Sequence, residues 1–293
     1  MLHLFPSLVL SVPSLSDMRV AGRAGAGGRF TPVVVGIYMY ICREKTSENN
    51  MKKAVVIGAS SGIGREVGRL LIDDGWRVGI VARRRERLLE LQGGCPERVS
   101  VLAADVREPA VTRRLGTLIG EMGGIDLLFY AAGIGKYGIC IDEEAEMATV
   151  ETNVVAFTRV IDFIYNYMSS GGKGGHIAVI TSIAGTKGLG AAPAYSATKA
   201  FQSTYIEALE QQSRMTATPV TFTDIRPGFV DTPLLAGTRR FPMLMDVEPV
   251  ARLIVRAIYK RRHVSVIDWR WRLLTAAWRL LPPALWRRLR WVK

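Results

Sequence analysis

The sequence predicts an α/β protein: a doubly wound parallel sheet in a single domain, followed by a C-terminal amphipathic helical tail. Three observations lead there. Short β-branched runs alternate with stretches of helical spacing from residue 53 to about residue 268, the pattern of a parallel sheet covered by helices on both faces. The first run enters a glycine-rich turn, Gly58-Ala-Ser-Ser-Gly-Ile-Gly64, that leads into a helix. The chain has 293 residues, 48% of them apolar, which is enough to bury a large core.

Lys53 to Ile57 (KAVVI) is the first strand, and Arg65 to Asp73 the first helix, with Val67, Leu70 and Leu71 on one face. Gly75 ends that helix before a second strand, Arg77 to Val81. Further strands are expected at Val99 to Ala103, Leu127 to Tyr130, His176 to Thr181, Val220 to Ile225 and Val264 to Ile267. Helical stretches include Ala148 to Met168 and Glu248 to Arg262. There is no internal repeat.

Composition removes several function classes. The chain is too apolar to be disordered, and no apolar run reaches the roughly 18–20 residues of a spanning helix. Cys42, Cys95 and Cys140 are odd in number and scattered, which argues against a disulfide framework or metal site and for a reducing, cytoplasmic compartment. The net charge of +13 is uneven: +2 over residues 1–50, zero over 51–251 and +11 over 252–293. A nucleic-acid protein spreads its basic residues over the folded domain, so nucleic acid is not an expected partner. Residues 1–50 carry no convincing n-region or cleavage site and read as a leader, disordered or upstream of the true start at Met51.

Glycines are needed where a strand turns sharply into a helix and a ligand pyrophosphate approaches the helix N-terminus. Ser60 and Ser61 add hydroxyl donors there. The second strand ends on Arg83-Arg84-Arg85 with no acidic residue. An acid at that point holds the ribose 2′-hydroxyl of NAD, whereas arginine accommodates a 2′-phosphate. Basic residues also oppose the dipole of a helix start, so a bound anion explains Arg83 and Arg84 better than solvent does, and NADP(H) is the expected cofactor.

Tyr195 and Lys199 lie four apart, on one helix face, and Ser182 ends the strand thirteen residues before Tyr195. Alone, each has a plainer reading: helix surface for Tyr195 and Lys199, a strand-end hydroxyl for Ser182, a helix-interior polar group for Asn153. Together with Gly58, Gly62, Gly64, Asp105 and Pro227-Gly228, in this order, they resemble the short-chain dehydrogenase/reductase family in its single-domain form, from Lys53 to about Asp268. The resemblance implies a Rossmann fold and reduction of a ketone to a secondary alcohol, or the reverse. Tyr195 would be the acid/base, Lys199 would lower its pKa and bind the nicotinamide ribose, Ser182 would polarise the carbonyl, and Asn153 would hold a water of the proton relay. Cofactor contacts would come from Gly58, Ser60, Ser61, Gly62, Ile63, Gly64, Arg83, Arg84, Asp105, Val106, Ala132, Gly133, Tyr195, Lys199, Pro227, Gly228, Val230 and Thr232. No metal is implied. Two positions depart from the family pattern: Ile57 stands where Thr is usual, and Tyr130-Ala131-Ala132-Gly133 replaces Asn-Asn-Ala-Gly, so Ala131 lacks an amide that would brace neighbouring strands.

Residues 229–245 have the composition of a lid, with Leu234, Leu235, Phe241, Met243 and Leu244 available to cover an apolar ketone such as an acyl chain or steroid, or to pack on a partner subunit in a homodimer. Residues 269–291 carry five of the six tryptophans, with arginines and leucines, broken by Pro282-Pro283. Leu273, Leu274, Trp278 and Leu281 can share one face. Such a segment suits the cytoplasmic face of a membrane, or it packs back on the domain or a second subunit. The competing functions are a soluble 3-oxoacyl or general carbonyl reductase and a non-catalytic NADPH sensor.

Overall fold

The computed structural model describes residues 51–171, 173–235 and 241–289; the reading of residues 1–50 as a leader lies outside them. Seven strands form one parallel sheet: β1 (Lys53–Ile57), β2 (Arg77–Ala82), β3 (Val99–Ala103), β4 (Leu127–Tyr130), β5 (Gly175–Ile180), β6 (Val220–Arg226) and β7 (Val264–Val266). Their order is β3-β2-β1-β4-β5-β6-β7. The winding reverses between β1 and β4, so the loops leaving those strands diverge and open a crevice at the C-terminal edge, where such sheets bind ligands.

The connecting helices are α1 (Gly62–Asp73), α2 (Arg85–Gln92), α3 (Val111–Glu121), α4 (Glu143–Val150), α5 (Phe157–Ser170), α6 (Pro193–Met215) and α7 (Val247–Tyr259), with α8 (Trp269–Leu280) and the short α9 (Pro283–Trp286) after β7. Alternation along β1 sends Ala54 and Val56 to one face, among Val67 and Leu71 of α1 and Val250 and Ile254 of α7. Val55 and Ile57 point to the other, among Leu115 and Ile119 of α3 and Phe157 and Ile161 of α5. All four β1 side chains are fully buried; each large one contributes roughly 1.5–3 kcal/mol on leaving water.

The structure refines several expectations. The strand expected at Arg77 to Val81 continues to Ala82, which pairs with Ala103. The stretch expected as one helix from Ala148 to Met168 is three pieces: α4, a π-helical turn at Glu151–Ala156, and α5. The end of β4 is tied to β1 by the backbone bond from Ala131 N–H to the Ile57 carbonyl (2.8 Å), so one strand tie persists without the missing amide. Cys140 is free and exposed. Among the described residues no helix is long and apolar enough to cross a membrane.

The tail folds back. Trp271 and Trp278 of α8 are 2% and 9% exposed, the Trp286 indole N–H donates to the Gly188 carbonyl (2.8 Å), and Lys187 Nζ donates to the Leu281 carbonyl (3.1 Å). The face expected from Leu273, Leu274, Trp278 and Leu281 is corrected at one position. Leu273 is 62% exposed, on the opposite side of the helix from Trp271 and Trp278.

Candidate active site

The crevice is one continuous cavity of about 1030 Å³, at the upper end of the roughly 300–1,000 Å³ usual for small-molecule sites. Its floor is the turn from β1 into α1. A Cβ on Gly64 would lie 2.2 Å from the Gly58 carbonyl oxygen, so only glycine permits this return of the chain. Ser61, at the N-cap of α1, makes no side-chain capping bond, and the first turn holds no acidic residue. Backbone donors and the positive end of the helix dipole therefore face the cavity, the arrangement that receives a phosphate.

At the same mouth, Arg84 Nη2 donates to Ser60 Oγ and Ser61 Oγ, both at 3.0 Å. The serine hydroxyls thus hold the guanidinium beside the glycine turn. Arg83 lines the cavity too. Asp105 lines it with Val106, but its carboxylate is gripped by Arg107 at 2.7–3.2 Å. That side-chain bond holds its pKa below the ordinary carboxylate value.

Halfway along the cavity Ser182, Tyr195 and Lys199 converge. Ser182 follows β5, and its Oγ accepts the Ala184 N–H (3.0 Å), fixing the short helical turn Ile183–Thr186. Burial, the larger cause, raises the pKa of the Tyr195 phenol, and the neighbouring Ser182 hydroxyl lowers it. Lys199 Nζ lies 5.8 Å from the Tyr195 ring centre and donates to the Ile180 carbonyl and Gln202 Oε1, both at 2.9 Å. Burial pushes its pKa down to about 7, opposed by the charge of Asp224. Asp224, itself buried, accepts from Thr181 and from Arg226 Nε (2.7 Å).

Asn153 does not line the cavity; it sits in the π-helical turn behind it. Its Oδ1 accepts the Ile134 N–H (2.9 Å) and its Nδ2 donates to the Ile134 carbonyl (2.7 Å). Its side chain therefore anchors the loop that follows Gly133.

The remaining expected cofactor residues, Gly58, Gly62, Ile63, Gly64, Ala132, Gly133, Pro227, Gly228, Val230 and Thr232, all line the same cavity. Lid residues Leu234, Leu235, Phe241 and Met243 line it as well. Leu244 is the correction: it is 46% exposed and off the cavity, because the bridge between Val230 and Met245 closes the loop and turns Leu244 outward. Residues 236–240 of the lid are outside the described residues.

The outer end of the cavity is aromatic. Phe229 meets Phe241 at 4.6 Å and Trp271 at 5.5 Å between ring centres, and Trp278 meets Trp286 edge-on at 5.7 Å. Trp271, Trp278 and Trp286 form its roof. Sequence reasoning left the destination of these tryptophans open. It also missed Gln202, although a polar residue three positions after Lys199 on the same helix face was a usable signal.

The sequence pattern of the family described as short chain dehydrogenase matches residues 52–242. The chain belongs to that family. The chain is 33% identical over 260 residues to an uncharacterized oxidoreductase of Myxococcus xanthus, covering 83% of this chain and all of that one. Two solved structures share the fold at 21% identity. A short chain dehydrogenase from Burkholderia cenocepacia in complex with NADP superposes with TM-score 0.70, over 82% of this chain and 98% of that one. The 3-ketoacyl-(acyl-carrier-protein) reductase of Brucella melitensis complexed with NADH gives 0.67, over 74% and 96%. The protein is thus an oxidoreductase with a Rossmann-type fold.

Proposed function

We propose that this protein uses NADP(H) to interconvert an apolar, lipid-like ketone and its secondary alcohol. The observation that carries this reading is the cavity itself: arginines beside a glycine turn at one end, an aromatic chamber at the other, and Ser182, Tyr195 and Lys199 between them. The bound nicotinamide would supply or accept the hydride. Ser182 orients the carbonyl oxygen by hydrogen bonding, and Tyr195, kept protonated by burial, donates to that oxygen as it becomes an alkoxide. The nearby Lys199 cation favours the phenolate left behind. Among the described residues, the charged groups beyond Lys199 on the chamber side come down to Lys136, which is paired with Asp142 at 2.5 Å, and this described lining suits an uncharged hydrocarbon body.

The two cofactor-bound neighbours carry NADP and NADH respectively, so the preference rests on Arg83 and Arg84. The test is loss of nicotinamide absorbance with NADPH and NADH against long-chain 3-ketones, ketosteroids and small aromatic ketones. Preference for NADPH and for long or polycyclic ketones is expected, and Arg84→Ala should raise KM for NADPH about tenfold or more while leaving that for NADH within about twofold. Equal losses for both cofactors would remove the NADP assignment. Turnover of small ketones alone would favour a general carbonyl reductase.

The reading includes a peripheral position on an anionic lipid surface. On α8, Trp269, Leu273 and Leu280 are 66%, 62% and 84% exposed and fall on one helical face, spaced by four and seven. Arg272 and Arg279 lie exposed beside that face, and the described residues from 269 to 289 contain no acid. A two-fold contact through this face would set arginines against arginines, whereas anionic headgroups neutralise them while the rings and leucines enter the interface. The full chain should sediment with phosphatidylglycerol-containing vesicles and much less with pure phosphatidylcholine. Leu273→Ser with Leu280→Ser should lower the bound fraction about fivefold; unchanged binding by that variant would sink the assignment of this face.

A further inference from the structure

Lys199 is the buried cation of the site, and its nearest partners are neutral. The nitrogen bonds the Ile180 carbonyl of β5 and Oε1 of Gln202, both at 2.9 Å. Gln202 is fully buried, and its other amide atom, Nε2, donates to the Asn153 carbonyl (2.9 Å) in the π-helical turn. The orientation of the amide is settled by chemistry. Reversed, it would set a donor against the ammonium and an acceptor against the carbonyl.

We propose that Gln202 is the positioning residue for the Lys199 ammonium: its amide spans from Nζ to the Asn153 carbonyl, fixes the ammonium beneath Tyr195, and fills with a neutral side chain the space behind it. A glutamine suits this place because the two ends need opposite characters. The ammonium requires an acceptor and the carbonyl a donor. A carboxylate would satisfy the ammonium but press a second acceptor against the carbonyl, and an apolar side chain would leave both groups unpaired.

The charged and titratable groups around Lys199 are few. Tyr195 shares its helix, with the Ser182 hydroxyl neighbouring that phenol; Asp224 on β6 is committed to Arg226 and Thr181. The π-helical turn presents Asn153, and the loop after β4 presents Gly133, where a Cβ would stand 3.4 Å from Nζ. None of the immediate partners compels the lysine to keep its charge. A neutral partner thus leaves Lys199, lowered by burial to about 7, free to respond to the phenol it serves. A glutamate at 202 would favour the ammonium and move its titration up; a methionine would remove an acceptor of the charged form and move it down.

The proposal rests on Lys199 serving the reaction proposed above, so its first readout is independent of turnover. In the full-length, cofactor-free protein with 13C at lysine Cε, the Lys199 resonance, assigned with Lys199→Arg, is followed against pH. Gln202→Glu should raise its midpoint by about one pH unit or more, and Gln202→Met should lower it. In turnover, Gln202→Met should lower kcat about tenfold, with the KM for ketone within about twofold, and the alkaline limb of the profile should move as the resonance does. An unmoved Lys199 midpoint in Gln202→Glu, nearly the same size as the native residue, overturns the proposal even if Gln202→Met fails to fold. Failure to find any ketone substrate would defeat the proposed reaction and leave the resonance measurement to decide the role of Gln202.

Discussion

Replacing Tyr195 with phenylalanine is expected to lower kcat for ketone reduction by about a thousandfold, within the range attributed to a positioned proton donor, while the dissociation constant for NADPH stays within about twofold. The ring itself remains. It packs so closely on Gly135 that a Cβ there would stand 2.3 Å from Tyr195 Cδ2, and phenylalanine keeps that contact. What is lost is the phenol hydroxyl, on a ring whose centre lies 5.8 Å from the Lys199 ammonium. Neither neighbour offers so clean a test. Ser182 also caps the turn at Ile183–Thr186 through the Ala184 N–H, and Lys199 ties β5 to α6. Substituting either one disturbs local structure along with the chemistry. Initial rates and a fluorescence titration of NADPH check the two halves separately. A Tyr195→Phe enzyme that keeps more than about a tenth of its kcat would remove Tyr195 from the role of proton donor.

That residue was legible because its signal is local. A tyrosine and a lysine four apart share a helix face whatever the rest of the chain does, and a glycine turn between a buried strand and an amphipathic helix constrains its own backbone. The strands were readable for the same reason: β3 and β4 have the expected bounds, and β2 is one residue longer, since buried parallel strands are continuous apolar runs. What stayed illegible depends on partners distant in sequence. Gln202 reaches Asn153 across 49 positions, and no spacing rule announces that an amide will meet the carbonyl of a π-helical turn. Leu244 has lid composition, yet the Val230–Met245 bridge turns it outward. Helix α8 is the clearest case. Its inner face carries Trp271 and Trp278 and its outer face Trp269, Leu273 and Leu280. Apolar residues on two sides defeat a reading that assigns one apolar face to each helix, and only the packed structure separates the face that roofs the cavity from the one that meets solvent.

The roof carries the largest expected effect on stability. Trp271 is the largest of the fully buried side chains, wedged over Gly228, where a Cβ would stand 2.2 Å from its Nε1, and set edge-on against Phe229. Trp271→Ala should destabilise the fold by about 3–5 kcal/mol, the usual range for deleting a buried aromatic, which for a domain of this size lowers Tm by roughly 6–20 °C. Trp271→Phe separates packing from polarity. The indole N–H is buried with no hydrogen-bond partner among the described residues, a state that itself costs about 1–3 kcal/mol, so phenylalanine sheds that penalty while keeping most of the ring and should shift Tm far less than alanine does. Function should follow the same order. Alanine opens the chamber above the reacting atoms, so kcat/KM for long apolar ketones should fall more than that for small ones, whereas phenylalanine should preserve the ranking. Calorimetric melts with the same ketone panel test both. If alanine and phenylalanine melted alike, or if alanine left the preference among ketones untouched, the tail would be a passive cover on the domain and no part of the wall that selects the substrate.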